Sequence, residues 1–257
     1  MKKLDKTLYP PQYGLIGYPI GHSFSPAYFN GFFQREGLPF SYARFELEHI
    51  SELPQLLEEV PELVGLNVTL PYKQAVLDYV HELSPEVQAL GASNVLKITH
   101  SASGQPYLKA YNTDIVGFRS SLLELLGDER PQALLFGTGG AAAAVGYVLR
   151  ELGISFRQVS RSPERAELTY TALEEALRPE ELLWINATSV GLKAGEYLPL
   201  PYEHLSSAHY AYDLIYNPSQ TTFLERAASQ GARTMNGLQM LYRQADEAWR
   251  IWTTDAL

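Results

Sequence analysis

Short apolar runs separated by turn-rich stretches divide the chain into alternating elements. Tyr13-Gly-Leu-Ile-Gly17 reads as a buried strand, and Ser41–Phe45 and Val64–Val68 read as a second and a third strand. After the first of these, Tyr28, Phe29, Phe32 and Phe33 recur at helical spacing. Ser25 followed by Pro26 reads as an N-cap with proline at the first helical position, and Gly37 as the stop. Leu53–Glu59 reads as a short acidic helix, and a further helix is read from about Tyr72 to Val80. Val95–Thr99 and Tyr107–Ala110 read as a hairpin around Ser101-Ala-Ser-Gly104. A second series starts at Thr113-Asp114, which caps a helix through Phe118, Leu122, Leu123 and Leu126, closed by Gly127. The strand Ala133–Phe136, a glycine loop and a helix to Leu152 follow. Strands at Ile154–Val159, Leu182–Asn186 and Tyr210–Leu214, and helices at Phe223–Ser229 and Leu238–Trp252, complete it. This alternation predicts an α/β protein built from βαβ units. No repeat or low-complexity linker separates the halves, so the junction near residue 114 rests on the fresh βαβ start alone.

Composition narrows the class. The chain has 257 residues, 46% of them hydrophobic and 19% charged, which suits one or two globular domains and excludes intrinsic disorder. A net charge of −9 lacks the basic footprint of a general nucleic-acid binder, yet leaves room for an anionic small molecule held by a few placed donors. With no cysteine, disulfides, thiolate-held zinc, iron–sulfur clusters and thiol nucleophiles are excluded. The start, Met1-Lys-Lys-Leu-Asp-Lys6, is basic but has no apolar stretch behind it, so no signal peptide is expected. No run is long enough to span a membrane, and a cytoplasmic location is expected. His22, His49, His81, His100, His204 and His209 are scattered without ligand spacing, and no metal is expected.

The chemistry starts at Gly137-Thr138-Gly139-Gly140-Ala141-Ala142, which fits G-x-G-x-x-[GA] between a strand and a helix. The first glycine permits the tight turn, the second lets backbone approach a pyrophosphate, and Ala142 keeps helix and strand close. The helix N-terminus offers free N–H groups and the positive dipole end. A plain glycine turn before an alanine-rich helix is the alternative. The next strand ends in Ser160-Arg161-Ser162, with Arg165 four residues on, where an NAD-binding unit would carry an acid. Arginine there suits a 2′-phosphate and predicts NADP, the alternative being two surface arginines.

In the first half, Ser23 and Ser25 share one loop. Asn67-Val-Thr69-Leu-Pro71-Tyr-Lys73 gathers an amide, a hydroxyl and an ammonium at a strand-to-helix turn, and Asn112-Thr-Asp114 adds a carboxylate. Further on stand Gly91-Ala-Ser-Asn94, Asn186-Ala-Thr188, Asp213-Leu-Ile-Tyr216-Asn-Pro218 and Gly237-Leu-Gln-Met240-Leu-Tyr-Arg-Gln244. In this order, from about residue 13 to 244, the set resembles the shikimate dehydrogenase family. Val95 and Ser160-Arg-Ser162 are mild departures, since the family often has threonine at the first place and Asn-Arg-Thr at the second.

The resemblance implies a substrate-binding domain over residues 1–113, to which a C-terminal helix from 236 to 257 returns. It also implies a Rossmann-like, doubly wound NADP domain over 114–235, with the active-site cleft between the two. It assigns Lys73 and Asp114 as the catalytic pair, with Ser23 and Ser25 on the substrate carboxylate. Asn67, Thr69, Asn94 and Gln244 would hold ring hydroxyls or the carboxylate, and Tyr216 would reach the substrate from the cofactor domain. Gly137 to Ala142, Ser160, Arg161 and Arg165 would bind NADP, and Thr188, Ser189, Met240 and the Gly237 backbone would line the nicotinamide side. The implied reaction is reversible reduction of 3-dehydroshikimate to shikimate by NADPH, in a monomer or homodimer. A quinate/shikimate dehydrogenase using NAD and a non-catalytic shikimate-binding relative are the alternatives.

Overall fold

The computed structural model describes residues 12–101, 103–193 and 195–254. The basic start Met1–Lys6 and Ala102 of the hairpin turn lie outside the described residues. The chain forms two compact units, one of residues up to Thr113 together with those from Ala248, the other running from Asp114 to Glu247.

In the first unit, β1 (Gln12–Gly17) is followed by α1 (Ser25–Arg35), β2 (Ser41–Glu46), α2 (Leu53–Glu59) and β3 (Leu63–Val68). Then come β4 (Glu82–Leu83), α3 (Pro85–Leu90), β5 (Val95–His100) and β6 (Pro106–Tyr111). The sheet order is β2-β1-β3-β5-β6-β4. β1 runs parallel to β2 and β3, while β5 is antiparallel to both β3 and β6, as a hairpin requires. Leu15, Ile16, Leu66, Val68 and Leu96 are buried, because the central strands are covered on both faces. On one face Tyr13, Phe29, Phe33 and Tyr42 gather with Trp249 and Trp252, and Phe29 stacks on Tyr42 with ring centres 4.7 Å apart. The Trp252 indole donates to the Leu96 carbonyl (3.0 Å), so the residues from Ala248 on complete this aromatic core.

Two expectations are corrected here, and one element is added. Over 72–80 the structure has a turn and a 3-10 segment, Ala75–Tyr79, in place of an α-helix. Tyr72 is pinned by its hydroxyl on the Leu47 carbonyl (2.7 Å), a contact 25 residues away in sequence that fixes the turn ahead of this segment. Ser25 is not a side-chain cap: the helix starts on it, Phe24 is the capping residue, and Pro26 takes the second position. α3 was not expected, although Ser84-Pro85 before it and Gly91 after it, at φ 63°, carry the usual start and stop.

In the second unit, α4 (Asp114–Leu126), β7 (Ala133–Phe136), α5 (Gly140–Glu151), β8 (Phe156–Ser160) and β9 (Leu168–Thr169) come first. α6 (Leu173–Ala176), β10 (Leu183–Asn186), β11 (Tyr210–Asp213), α7 (Thr222–Ser229), β12 (Arg233–Met235) and α8 (Leu238–Thr253) follow, and the division at Glu247/Ala248 falls inside α8. All six strands are parallel in the order β12-β11-β10-β7-β8-β9, a doubly wound sheet. Every residue of β7, β10 and β11 is buried. From β8 to β9 the chain crosses over without a helix, in turns, and Arg165 lies on one of them.

Candidate active site

Candidate side chains of the first unit collect at one sheet edge. The carboxyl ends of β1, β3 and β6 lie level there with the start of β5, as the pairings Ile16 with Val68, Asn67 with Val95 and Val95 with Tyr111 require. Ser23 comes from the loop after β1 and Ser25 from the first residue of α1, Thr69 and Lys73 from the turn after β3, and Asn94 from the residue before β5. A chain of hydrogen bonds ties Ser25, Asn67, Asn94 and Thr113 together. The Ser25 hydroxyl meets the Tyr42 hydroxyl. Tyr42 donates to Asn67 Oδ1 (2.6 Å), and Asn67 Nδ2 reaches the Asn94 carbonyl (3.4 Å). Asn94 Oδ1 accepts from the Thr113 backbone (2.7 Å), and Asn94 Nδ2 donates to the Thr113 hydroxyl (3.0 Å). The Ser93 N–H donates to the Lys73 carbonyl (2.7 Å), so the Lys73 turn is fixed to the same loop. Asn67 and Asn94 are buried, Lys73 and Ser23 half-buried. Tyr42 carries no signal of its own in the sequence: it is one aromatic in a strand, and its partner lies 25 residues away.

In the second unit the carboxyl ends of β7, β8, β10, β11 and β12 also lie at one edge. The chain leaves β7 for β8 on one side and returns to β10 on the other, which makes the gap between β7 and β10 the switch point where such sheets hold ligands. Both flanks carry residues singled out in the sequence. Gly137, at φ 112°, comes so close to the β10 loop that an added methyl would lie 3.0 Å from the Ala187 carbonyl and the Thr188 methyl. The same methyl on Gly139 or Gly140 would meet nothing within 4 Å, so that face of the loop is open. α5 starts on Gly140 with no side chain capping it, which leaves its first N–H groups to a ligand. Thr138 and Ala141 are exposed there and Ala142 is buried against the sheet. These are the features a dinucleotide pyrophosphate needs.

Beyond β10, Asn186 Oδ1 accepts from the Thr188 N–H (3.0 Å) and hydroxyl (2.7 Å), while Asn186 Nδ2 donates to Asp213 (3.0 Å). Asp213 also accepts from Thr221 (2.6 Å) and from the Ile215 N–H (3.0 Å). Burial raises its carboxyl above the usual range, and these donors pull the other way. Asp213 thus fixes both the Thr188–Ser189 loop and the turn that carries the exposed Tyr216. Gly237 donates its N–H to the Ile215 carbonyl (3.1 Å) and is buried. On α8, Met240 and Gln244 lie over Gly117 of α4, where an added methyl would come 2.5 Å from the Met240 carbonyl. Asp114 is the first residue of α4, directly after Thr113.

At the end of β8, the Ser160 hydroxyl accepts from the Ser162 N–H (3.1 Å), which shapes the turn. Arg161 and Arg165 are exposed, and neither makes an ion pair among the described residues. Burial raises the Tyr170 phenol to about 12, and the nearby Arg161 charge acts against that rise. Glu164, between the two arginines, was passed over in the sequence reading. Its carboxylate is held by the Ser162 hydroxyl, which lowers its pKa. His204, read as isolated, stands with Glu174 and Glu203, their ligand atoms within 4.8 Å of one another on the surface.

Residues 15–96 match the family model described as the shikimate dehydrogenase substrate binding domain. The chain is 34% identical over 275 residues to the shikimate dehydrogenase (NADP(+)) of Caldanaerobacter subterraneus subsp. tengcongensis, covering 98% of this chain and 94% of that one. Among solved structures, it is similar to the Thermus thermophilus shikimate 5-dehydrogenase in complex with NADP(H) and shikimate, at 36% identity and a TM-score of 0.79. That match covers 95% of this chain and 94% of the other. It is also similar to the quinate dehydrogenase from Corynebacterium glutamicum in complex with NAD, at 27% identity and a TM-score of 0.84, with 95% and 94% covered.

Proposed function

The chain belongs to the shikimate dehydrogenase family, and on that footing we propose that it interconverts 3-dehydroshikimate and shikimate in the cytoplasm with NADP as cofactor. One observation carries the reading. The Lys73 turn, the Asn94 loop and Thr113, which hands the chain on to Asp114, are joined by hydrogen bonds at the sheet edge where Ser25 and Asn67 also stand.

Ser23 and Ser25 offer hydroxyls to the substrate carboxylate, and Asn67, Thr69, Asn94, Gln244 and Tyr216 hold its carboxylate or ring hydroxyls. Lys73 gives a proton to the oxygen of the ring ketone as it becomes an alcohol, and takes it back in the oxidation. Asp114 orients the ammonium for that transfer. The open face of Gly139 and Gly140 and the uncapped α5 N-terminus suit the pyrophosphate of NADP, and Arg161 and Arg165 suit its 2′-phosphate. Thr188, Ser189, Gly237 and Met240 line the nicotinamide. When bound, the nicotinamide supplies the hydride for reduction or accepts it in oxidation.

The experiment is NADPH formation from shikimate and NADP, run beside quinate and NAD, for wild type and Lys73→Met. Wild type turns over shikimate with NADP. The variant keeps shikimate affinity and loses about 10²–10⁴ in kcat, the range for a removed general acid–base. A variant with near-normal kcat overturns the role of Lys73. A wild type active only on quinate with NAD overturns the substrate and cofactor.

A further inference from the structure

The substrate half contains a polar group with no assigned role, the Tyr42 hydroxyl. It has a single proton, and that proton goes to Asn67 Oδ1 at 2.6 Å. The Ser25 hydroxyl meets the same phenol oxygen, so Ser25 is the donor in that pair. An asparagine amide presents a carbonyl on one side and an NH₂ on the other, and its neighbours decide which way it faces. Here Nδ2 makes one long bond to the Asn94 carbonyl, 3.4 Å, and that carbonyl already accepts from the Val68 N–H at 2.9 Å. The second Nδ2 hydrogen has no acceptor among the described residues. A flipped amide would set its oxygen against the Asn94 carbonyl and waste the phenol proton. Desolvation by burial, partly offset by the Ser25 hydroxyl, holds the Tyr42 phenol well above the ordinary tyrosine range, so it stays a donor.

We propose that Tyr42 is a positioning residue for substrate recognition: by donating to Asn67 Oδ1 it locks the Asn67 amide with its NH₂ turned out, as a donor to a ring oxygen of the substrate. This rests on the reading of shikimate as substrate. Ser25 can swing its own proton from Tyr42 to the substrate carboxylate without breaking the Tyr42–Asn67 bond, so the anchor persists when substrate binds. Without the phenol proton, only the 3.4 Å bond orients the amide. The site then has a polar group free to turn its oxygen toward the oxygen it must bind.

Tyr42→Phe keeps the ring that stacks on Phe29 at 4.7 Å. It is expected to lower the melting temperature by only about 2–6 °C, the effect of one buried hydrogen bond. The shikimate KM should rise by about threefold to tenfold, the worth of one neutral hydrogen bond, with kcat within about twofold of wild type and the NADP KM unchanged. A tyrosine that served only packing would not split the constants this way. Asn67→Ala and the double variant Asn67→Ala/Tyr42→Phe complete a cycle: with Asn67 gone, removing the phenol oxygen should change the shikimate KM no further. An unchanged KM in Tyr42→Phe, or full additivity in the double variant, overturns the proposal while wild type stays active. A wild type that does not turn over shikimate overturns the activity and this proposal with it.

Discussion

The Arg157→Met substitution isolates a buried charge. The Arg157 side chain is 15% exposed and that of Glu181 only 1%. They meet as a fork, Nε to Oε1 at 2.6 Å and Nη2 to Oε2 at 2.5 Å, and Arg157 also donates to the Ala176 carbonyl at 2.7 Å. The Glu181 hydrogen bond holds the guanidinium above its ordinary pKa. Methionine fills much of the arginine stem but leaves the Glu181 carboxylate buried, with the Arg178 N–H (2.9 Å) as its remaining donor in the described residues. Removing one partner of a buried pair costs about 3–5 kcal/mol. For a chain of this size that is roughly 6–20 °C in Tm. Replacing both, Arg157→Met with Glu181→Leu, removes the stranded charge as well and should recover most of the loss. Urea and thermal unfolding of the three variants measure this. The pair sits at the amino ends of β8 and β10, away from the edge that bears the glycine loop, so the NADP KM of the folded single variant should match wild type. A single variant within about 1 kcal/mol of wild type, or a double variant no better than the single, would falsify the reasoning.

Two further outcomes follow from the same structure. Arg161→Ala should cost about 10–150-fold in kcat/KM with NADP and little with NAD, because a charge-assisted contact to the 2′-phosphate is lost. Equal loss with both cofactors would show that Arg161 serves another purpose. The His209 ring accepts the Ser206 N–H on Nδ1 (3.1 Å), and burial lowers its pKa below 6.5. Its folded pKa lies under its unfolded one, so its contribution is present above pH 6.5 and is lost as pH falls through the folded value. The stability gap between wild type and His209→Gln should therefore shrink between about pH 7 and pH 5, and a gap independent of pH would count against this.

Local signals account for what the sequence revealed. The glycine loop was legible because a strand, a turn that tolerates no side chain and a helix follow one another within a few residues. Lys73 and Asn67 were legible through a motif with a known relation to chemistry. Tyr42 was not, since its part depends on Ser25 and Asn67, which only the sheet pairing brings near. Ser25 looked like a cap because Ser-Pro usually is one, but its hydroxyl found a tertiary partner and the helix started a residue early. The 3-10 segment at Ala75–Tyr79 follows a turn held by a contact from Tyr72 to the Leu47 carbonyl, 25 residues away, which residue patterns do not encode.

The division inside α8 bears on the order in which the protein is made. Domains usually fold as units from the N-terminal end during synthesis. Here the unit begun second has all its residues once Glu247 has been added, whereas the unit begun first still lacks Trp249 and Trp252. Until those two indoles arrive, Tyr13, Phe29 and Tyr42 have no partner for one face of their cluster, and β5 leaves the Leu96 carbonyl without its indole donor. The unit begun second is therefore complete in sequence a few residues before the unit begun first, although its synthesis starts more than a hundred residues later. While residues 114–247 are being added, the aromatic side chains of β1, α1 and β2 lack those indole partners, which is where a chaperone would find purchase.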